Sequence, residues 1–418
     1  RRAAADIGRS IARAWRSYRH DRPADAASAV HRALETAAGL EGRLDAAQAA
    51  TLARVERHLS AASALLLGAS AALEPPPGEH LPGDELRVRV VLANDGDHRL
   101  DGLRSSLRAP AGWTVEPAGP HASSVAPGGS VAHEYGVRIP VDAEAGTSEL
   151  TGTIGYRYES GTATLPVSAA VDVLPAVALS AVEVAPAEVG PGGEATVRTV
   201  LRNRTDAARS GEVALELPAG WTVPDPTPYE LPAGGELAVE TPVEVPLSVT
   251  EGAAAVTAST GGEQGTASLS VVFTNPPAVV HDHVDLGDAE SERSHGLTAS
   301  PASGTSVEAG LTRRYTNAAA PGGWFELDLH VPAGEPFVLR SVETYDQAQL
   351  KTYDVLVDGV RVLERAHRRS DGGPGSLSFQ FVVDEPELTA DGVVRVRYQD
   401  VGADYDPSIA DVWASPLP

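Results

Sequence analysis

The sequence predicts a mainly β protein with an N-terminal helical segment (1–73), two tandem Ig-like β-sandwiches (79–173 and 178–273) and a C-terminal jelly-roll β-sandwich (278–418). Three observations carry this reading. Apolar residues recur with helical spacing up to about residue 73 and with period two from Leu86 onward. Turn signals rich in Pro, Gly, Asn and Asp follow at short intervals after Gly78. A series of motifs then recurs at offsets of 109, 108 and 106 residues, which marks a duplication with small loop deletions.

The helical segment is Ala- and Leu-rich and lacks β-branched runs. Its first helix is expected from about Ala3 to Tyr18 and its second from about Ala24 to Ala38, where Gly39 stops it. The third starts at Asp45, whose Gln48 three residues on gives a capping-box-like signal. Leu52, Val55, Leu59, Ala62, Leu66 and Leu73 continue it with helical spacing. This segment holds eleven Arg against seven acids, about +4, whereas residues 74–418 carry about −28. A helical hairpin packed on a neighbouring domain explains the pattern; a partner-binding helix is the alternative.

Beyond Pro75-Pro76-Pro77, Leu86, Val88, Val90 and Leu92 alternate with Arg87, Arg89 and Ala93, the pattern of a half-buried strand. Pro82-Gly83-Asp84-Glu85 with Leu92-Ala93-Asn94 recurs as Pro191-Gly192-Gly193-Glu194 with Leu201-Arg202-Asn203. Pro110-Ala111-Gly112-Trp113-Thr114-Val115 recurs as Pro218-Ala219-Gly220-Trp221-Thr222-Val223. In each copy Gly closes the turn and Trp enters a strand, so Trp113 and Trp221 are expected to fill the space between two sheets. A sugar-stacking platform is the functional alternative for them. In the last segment, Phe325, Leu327, Leu329 and Val331 should face one side of a strand, and Asp358-Gly359 signals a two-residue hairpin.

Composition excludes several classes of function. Net charge is −24 over 418 residues, which disfavours nucleic acid and anionic membrane as partners. Cys is absent, which removes disulfides, thiol nucleophiles and Cys-ligated zinc. No apolar run is long enough to span a bilayer. No P-loop, Rossmann fingerprint or Gly-x-Ser-x-Gly elbow occurs. Among 57 acids a fortuitous carboxylate pair is certain, so pairing alone argues nothing for glycoside hydrolysis. Met is absent as well, so the chain reads as a piece of a longer polypeptide; Lys351 is the single Lys, and the Arg, Ala, Gly and Pro bias suggests a GC-rich actinobacterial genome.

The order Pro-Gly-x-x, alternating strand, Asn, Pro-x-Gly-Trp-x-Val, Pro-Gly-Gly, then Pro140 to Gly146-Thr147 resembles the NEW3 family of Ig-like modules, also called α-galactosidase-associated domains. The second copy departs at Gly252-Ala253. The resemblance implies a non-catalytic spacer beside a catalytic domain of a secreted carbohydrate-active enzyme. Gly287-Asp288-Ala289-Glu290-Ser291-Glu292, Gly322-Gly323-Trp324-Phe325 and Tyr353 to Gly359 are similar to the C-terminal domain of β-L-arabinofuranosidase-type glycosidases, implying a galactose-binding-like accessory fold. Leu59 to Leu73 followed by Leu81-Pro82-Gly83 resembles the region after the catalytic domain of PIG-L-type de-N-acetylases, whose His-Pro-Asp-Asp zinc motif does not occur here.

Two candidate sites follow from residue types. Tyr345, Asp346, Asp404, Tyr405, Asp406 and Trp413 combine aromatic faces with carboxylate acceptors, the chemistry that holds sugars; a turn-forming surface is the bland alternative. Asp282, Asp285, Asp288 and Glu290 offer hard oxygens for a structural Ca²⁺, and His281, His283 and His295 offer nitrogens for a transition metal. A solvated strand edge is the alternative. No catalytic residue and no other cofactor is expected. The expected function is an accessory region, spacer and carbohydrate-contacting, of a secreted enzyme, either a PIG-L-type de-N-acetylase or a glycosidase. Its partners are an upstream catalytic domain and a polysaccharide. A structural or adhesive cell-surface stalk is the alternative.

Overall fold

The computed structural model describes residues 2–40, 42–159, 161–316, 322–369, 373–402 and 405–418. The chain is mainly β, as expected, with three helices at its start and three pairs of sheets after them. It forms two compact units: residues 1–178 with 203–209 and 231–235, and the remainder to 418.

In the first unit, helices α1 (Arg2–Ser17), α2 (Ala27–Ala38) and α3 (Ala46–Leu67) precede the first sandwich. The Asp45 side chain caps α3 by accepting from Gln48 N at 2.8 Å, as the spacing predicts. The apolar spacing predicts helix as far as Leu73, and the structure corrects this. Gly68 turns left-handed at φ 65° and ends the helix at Leu67. Ala69–Glu74 then becomes a strand pairing with Glu85–Asn94. The crossover is tight: a Cβ on Gly96 would stand 2.0 Å from the Leu67 carbonyl oxygen. Ala27, Ala33, Leu34 and Leu59 of the helices share one apolar core with Val88, Val90, Leu150 and Ile154 of the sheets.

The two sandwiches repeat one topology. In the first, the sheet Glu79–His80, Gly161–Val173, Gly146–Tyr158, Leu100–Arg108, Ser124–Val125 has its counterpart in Glu188–Val189, Glu263–Val271, Gly252–Thr260, Arg209–Glu216, Thr227–Leu231 of the second. A buried Asn supports the same turn in both. Asn94 Nδ2 donates to the carbonyls of His98 (2.8 Å) and Ala126 (3.1 Å), and Asn203 Nδ2 to those of Ala207 (2.7 Å) and Pro232 (2.9 Å). One difference is instructive. After Trp113, Thr114–Pro117 adds a strand to the opposite sheet. After Trp221 no strand forms before Thr227, because Pro224 and Pro226 lack the N–H that a ladder needs.

The C-terminal sandwich packs two antiparallel sheets over one core. One runs Gly375–Val383, Phe337–Tyr345, Ser408–Ser415, Leu311–Tyr315, Gly304–Glu308; the other runs Thr298–Ala299, Trp324–His330, Val393–Asp400, Leu350–Val357, Val360–Arg368. Phe325, Leu327 and Leu329 are buried in that core, on the face the alternation predicts. Asp358 and Gly359, both at positive φ, close the hairpin that pairs Val357 with Val360. This sheet system extends into the second sandwich: Val249–Thr250 pairs antiparallel with Phe379–Gln380.

Candidate functional site

The predicted aromatic and carboxylate cluster is split by the fold. Tyr345 is fully buried, and its hydroxyl donates to Glu343 Oε2 at 2.6 Å. Trp413 is 4 % exposed and belongs to a separate apolar cluster with Val342 and Ala410. Its indole stacks on His283, with centroids 5.1 Å apart, and His283 Nε2 lies 2.8 Å from Asp411 Oδ1. Neither ring offers an open face to a sugar, which corrects the sequence expectation for both. They line a central sheet whose two faces are each covered, so their parity in the strand gave no warning.

Tyr405 is 43 % exposed, and its backbone is clamped to Leu350 and Thr352. Asp346 is exposed and holds the Gln349 amide. Asp406 is partly buried; burial pushes its carboxyl up, and Lys351 partly offsets this. Asp404 lies outside the described residues. Among the described residues of the set, Tyr405 and Asp346 are the exposed ones at this end.

Beneath it lies a polar network that residue-type reasoning missed. Glu343 is buried and accepts from Tyr345, Tyr353 (2.8 Å) and Arg365 Nη2 (2.8 Å). Burial alone would raise its pKa, but the Arg365 and Lys351 cations outweigh it and hold the carboxyl below its ordinary value. Lys351 is 1 % exposed, donates to the Asp406 carbonyl at 3.3 Å and lies 5.2 Å from the Tyr345 ring centroid. The one Lys in an Arg-based chain was visible in the sequence; its burial was not.

The acidic stretch forms a strand, Asp282–Asp285, and a short helix, Ala289–Ser294. Its carboxylates are spent separately. Asp282 accepts from His330 N (2.7 Å) and His283 N (2.9 Å) and faces the rings of His330 (3.0 Å) and His295 (3.2 Å). Asp288 caps the helix through Glu290 N and Ser291 N. Glu290 is exposed. Asp285 is pushed up by burial and by the nearby Asp411, Asp288 and Glu292 carboxylates. Among the described residues no three His, Asp or Glu side chains converge as a metal would require. The structure therefore does not assemble Asp282, Asp285, Asp288 and Glu290 as a Ca²⁺ ligand set.

A third place gathers around Trp221, for which the sequence offers a sugar-stacking platform as the alternative to core filling. A groove of about 720 Å³ lies between the second and C-terminal sandwiches, lined by Glu216, Trp221, Ser248, Glu251, Thr257 and His367 among others. Trp221 is half-buried there. This corrects the expectation that both repeat tryptophans are equivalent interior plugs. Both indoles are half-buried, so neither is an interior plug: Trp113 packs against the first core, whereas Trp221 lines an open groove. The Pro-Ala-Gly-Trp turn is the same in both, with Trp N donating to Pro O at 3.2 Å. The divergence lies in the lost strand after Trp221.

Residues 81–157 match the model of the NPCBM-associated, NEW3 domain of alpha-galactosidase. No curated protein matches the chain. Among solved structures, similarity extends to a family 35 carbohydrate binding module from Clostridium thermocellum, at 14% identity over 32% of this chain and 98% of that one, with a TM-score of 0.27. CBM35 from Paenibacillus barcinonensis gives 13% identity over 32% and 98%, with a TM-score of 0.25. The secreted serine protease VesC from Vibrio cholerae gives 10% over 83% and 51%, with a TM-score of 0.20. Among the described residues no helix is long and apolar enough to cross a membrane.

Proposed function

We propose that the chain is a non-catalytic accessory region of a secreted multidomain carbohydrate-active enzyme, combining spacer and carbohydrate-contacting roles. The observation that carries this reading is the NEW3 match over residues 81–157, in a module whose topology the second sandwich repeats. The parent enzyme is a PIG-L-type de-N-acetylase or a glycosidase, and its catalytic domain seats on the helical segment. Support for that seating comes from an apolar groove of about 530 Å³ on the helices, where Trp15 is 78 % and Leu65 83 % exposed beside Ile11 and Tyr18. Arg9, Arg13 and Arg16 on α1 suit an acidic rim on the partner.

The test uses the full chain in native gels cast with soluble polysaccharides, alongside assays on aryl glycosides and N-acetylated sugars. The expected result is retarded migration in at least one polysaccharide and no turnover. Turnover of either substrate class, or unchanged migration in every polysaccharide, would overturn the reading in favour of an enzyme or a plain stalk.

A further inference from the structure

We propose that the groove between the second and C-terminal sandwiches binds a saccharide chain free of carboxylates, with the Trp221 indole as its stacking surface. The inference rests on the carbohydrate-associated reading above and gives it a place.

The floor of the groove is the outer face of the strand Gly252–Thr260. Period-two alternation turns Ala253, Ala255 and Thr257 outward there, while Ala254 and Val256 are buried. The corresponding positions of the first sandwich, 106 residues earlier, hold Thr147, Glu149 and Thr151. At two of the three positions, Ala253 and Ala255, the second copy thus has a methyl group where the first has a longer polar side chain, and a flat sugar ring can lie against them. Trp221 stands beside this floor. An indole offers a sugar's CH face an apolar surface, while Glu216, Thr257 and His367 around it offer acceptors and donors to hydroxyls.

The groove is also held in a fixed shape, which limits what binding must order. Its far wall, Ser248 to Glu251, is tied to the C-terminal sheet. Glu251 N donates to Ser378 O (2.8 Å), Ser378 N to Glu251 Oε2 (2.7 Å), and Gln380 Nε2 to Leu247 O (2.9 Å). Arg365 Nη1 donates to Thr250 Oγ1 at 2.7 Å, joining this wall to the buried Glu343 network. His367, from the strand Val360–Arg368, completes the lining; burial and the Arg365 charge hold its pKa below the ordinary value. A neutral imidazole with Glu216 and Glu251 leaves the groove anionic, in a chain of net charge −24. Uronates are therefore repelled, and neutral or amine-bearing sugars are not.

The same gels decide the matter, cast with hydroxyethylcellulose, xylan, galactomannan, glycol chitosan or polygalacturonate. Retardation is expected in at least one of the first four and not in polygalacturonate. Trp221→Ala should weaken it about tenfold, the loss of one aromatic stacking contact. Ala255→Arg, which fills the groove and leaves Trp221 in the chain, should abolish it. Tyr405→Ala should leave it unchanged, and melting scans check that each variant folds. Retardation that survives both Trp221→Ala and Ala255→Arg overturns the groove and leaves the accessory reading standing. Retardation by polygalacturonate alone overturns the carboxylate-free assignment. Retardation by none of the five overturns the groove and removes the support for carbohydrate contact with it.

Discussion

Glu343 shows how a single buried charge is kept in this protein. Taking a carboxylate out of water costs several kcal/mol even after relaxation, and only complete satisfaction offsets that. Two tyrosine hydroxyls and a guanidinium supply it, and the guanidinium carbon lies 4.2 Å from the Phe379 ring centroid. Glu343→Gln should destabilise the C-terminal sandwich by about 3–5 kcal/mol, since it strands Arg365 in the interior. Urea unfolding checks this; a loss below about 1 kcal/mol would mean that water reaches the pair. Little of this was legible beforehand. Glu343 ends a run that reads as an ordinary strand, and Arg365 sits among charged residues. Only the fold brings Tyr345, Tyr353 and Arg365 to one carboxylate. Trp413 failed as a sugar platform for the related reason that its sheet has two covered faces.

At the scale of elements, the join between α2 and the first sandwich depends on His31. Its Nδ1–H donates to the Gly161 carbonyl (2.8 Å), so Nε2 must accept from the Ser63 hydroxyl (2.7 Å), which in turn meets Tyr156 OH (2.8 Å). Burial pushes Tyr156 up to about 12. A Cβ on Gly161 would stand 2.2 Å from the His31 carbonyl oxygen, so the approach needs glycine. Burial also lowers the His31 pKa from 6.5. The unfolded chain therefore binds the proton more readily, and stability rises with pH in that window. The contribution is complete above pH 6.5 and is lost as the pH falls from there through the folded pKa. Melting of the native chain should weaken by up to about 1.4 kcal/mol per pH unit in that range. His31→Gln should flatten the dependence; an unaltered slope would assign it to other groups, His133 first. The helices were readable from periodicity and the Asp45 cap. The end at Leu67 was not, because Ala69–Glu74 is equally apolar as helix or strand and only its pairing with Glu85–Asn94 decides.

For the whole molecule, the duplication was the most legible feature, since co-linear turns, Asn94 with Asn203 and Trp113 with Trp221, are local signals. The joining of the second and C-terminal sandwiches was hidden, because Val249-Thr250 is too short to read as a strand and its partner lies far along the chain. Calorimetry should show these two sandwiches unfolding in one transition. Glu251→Pro removes the N–H that donates to Ser378 O and the carboxylate that accepts from Ser378 N. It should split the transition in two. Two transitions already present in the unmodified chain would show that the joint is not cooperative.

Lys351 has a practical consequence for anyone handling the protein. Its ε-amine is sealed in the interior, so amine-directed dyes and resins will find no lysine on the native surface. A chain prepared as Arg1–Pro418 would couple through its α-amino group alone. Every molecule on a sensor chip or bead would then be tethered at the same point.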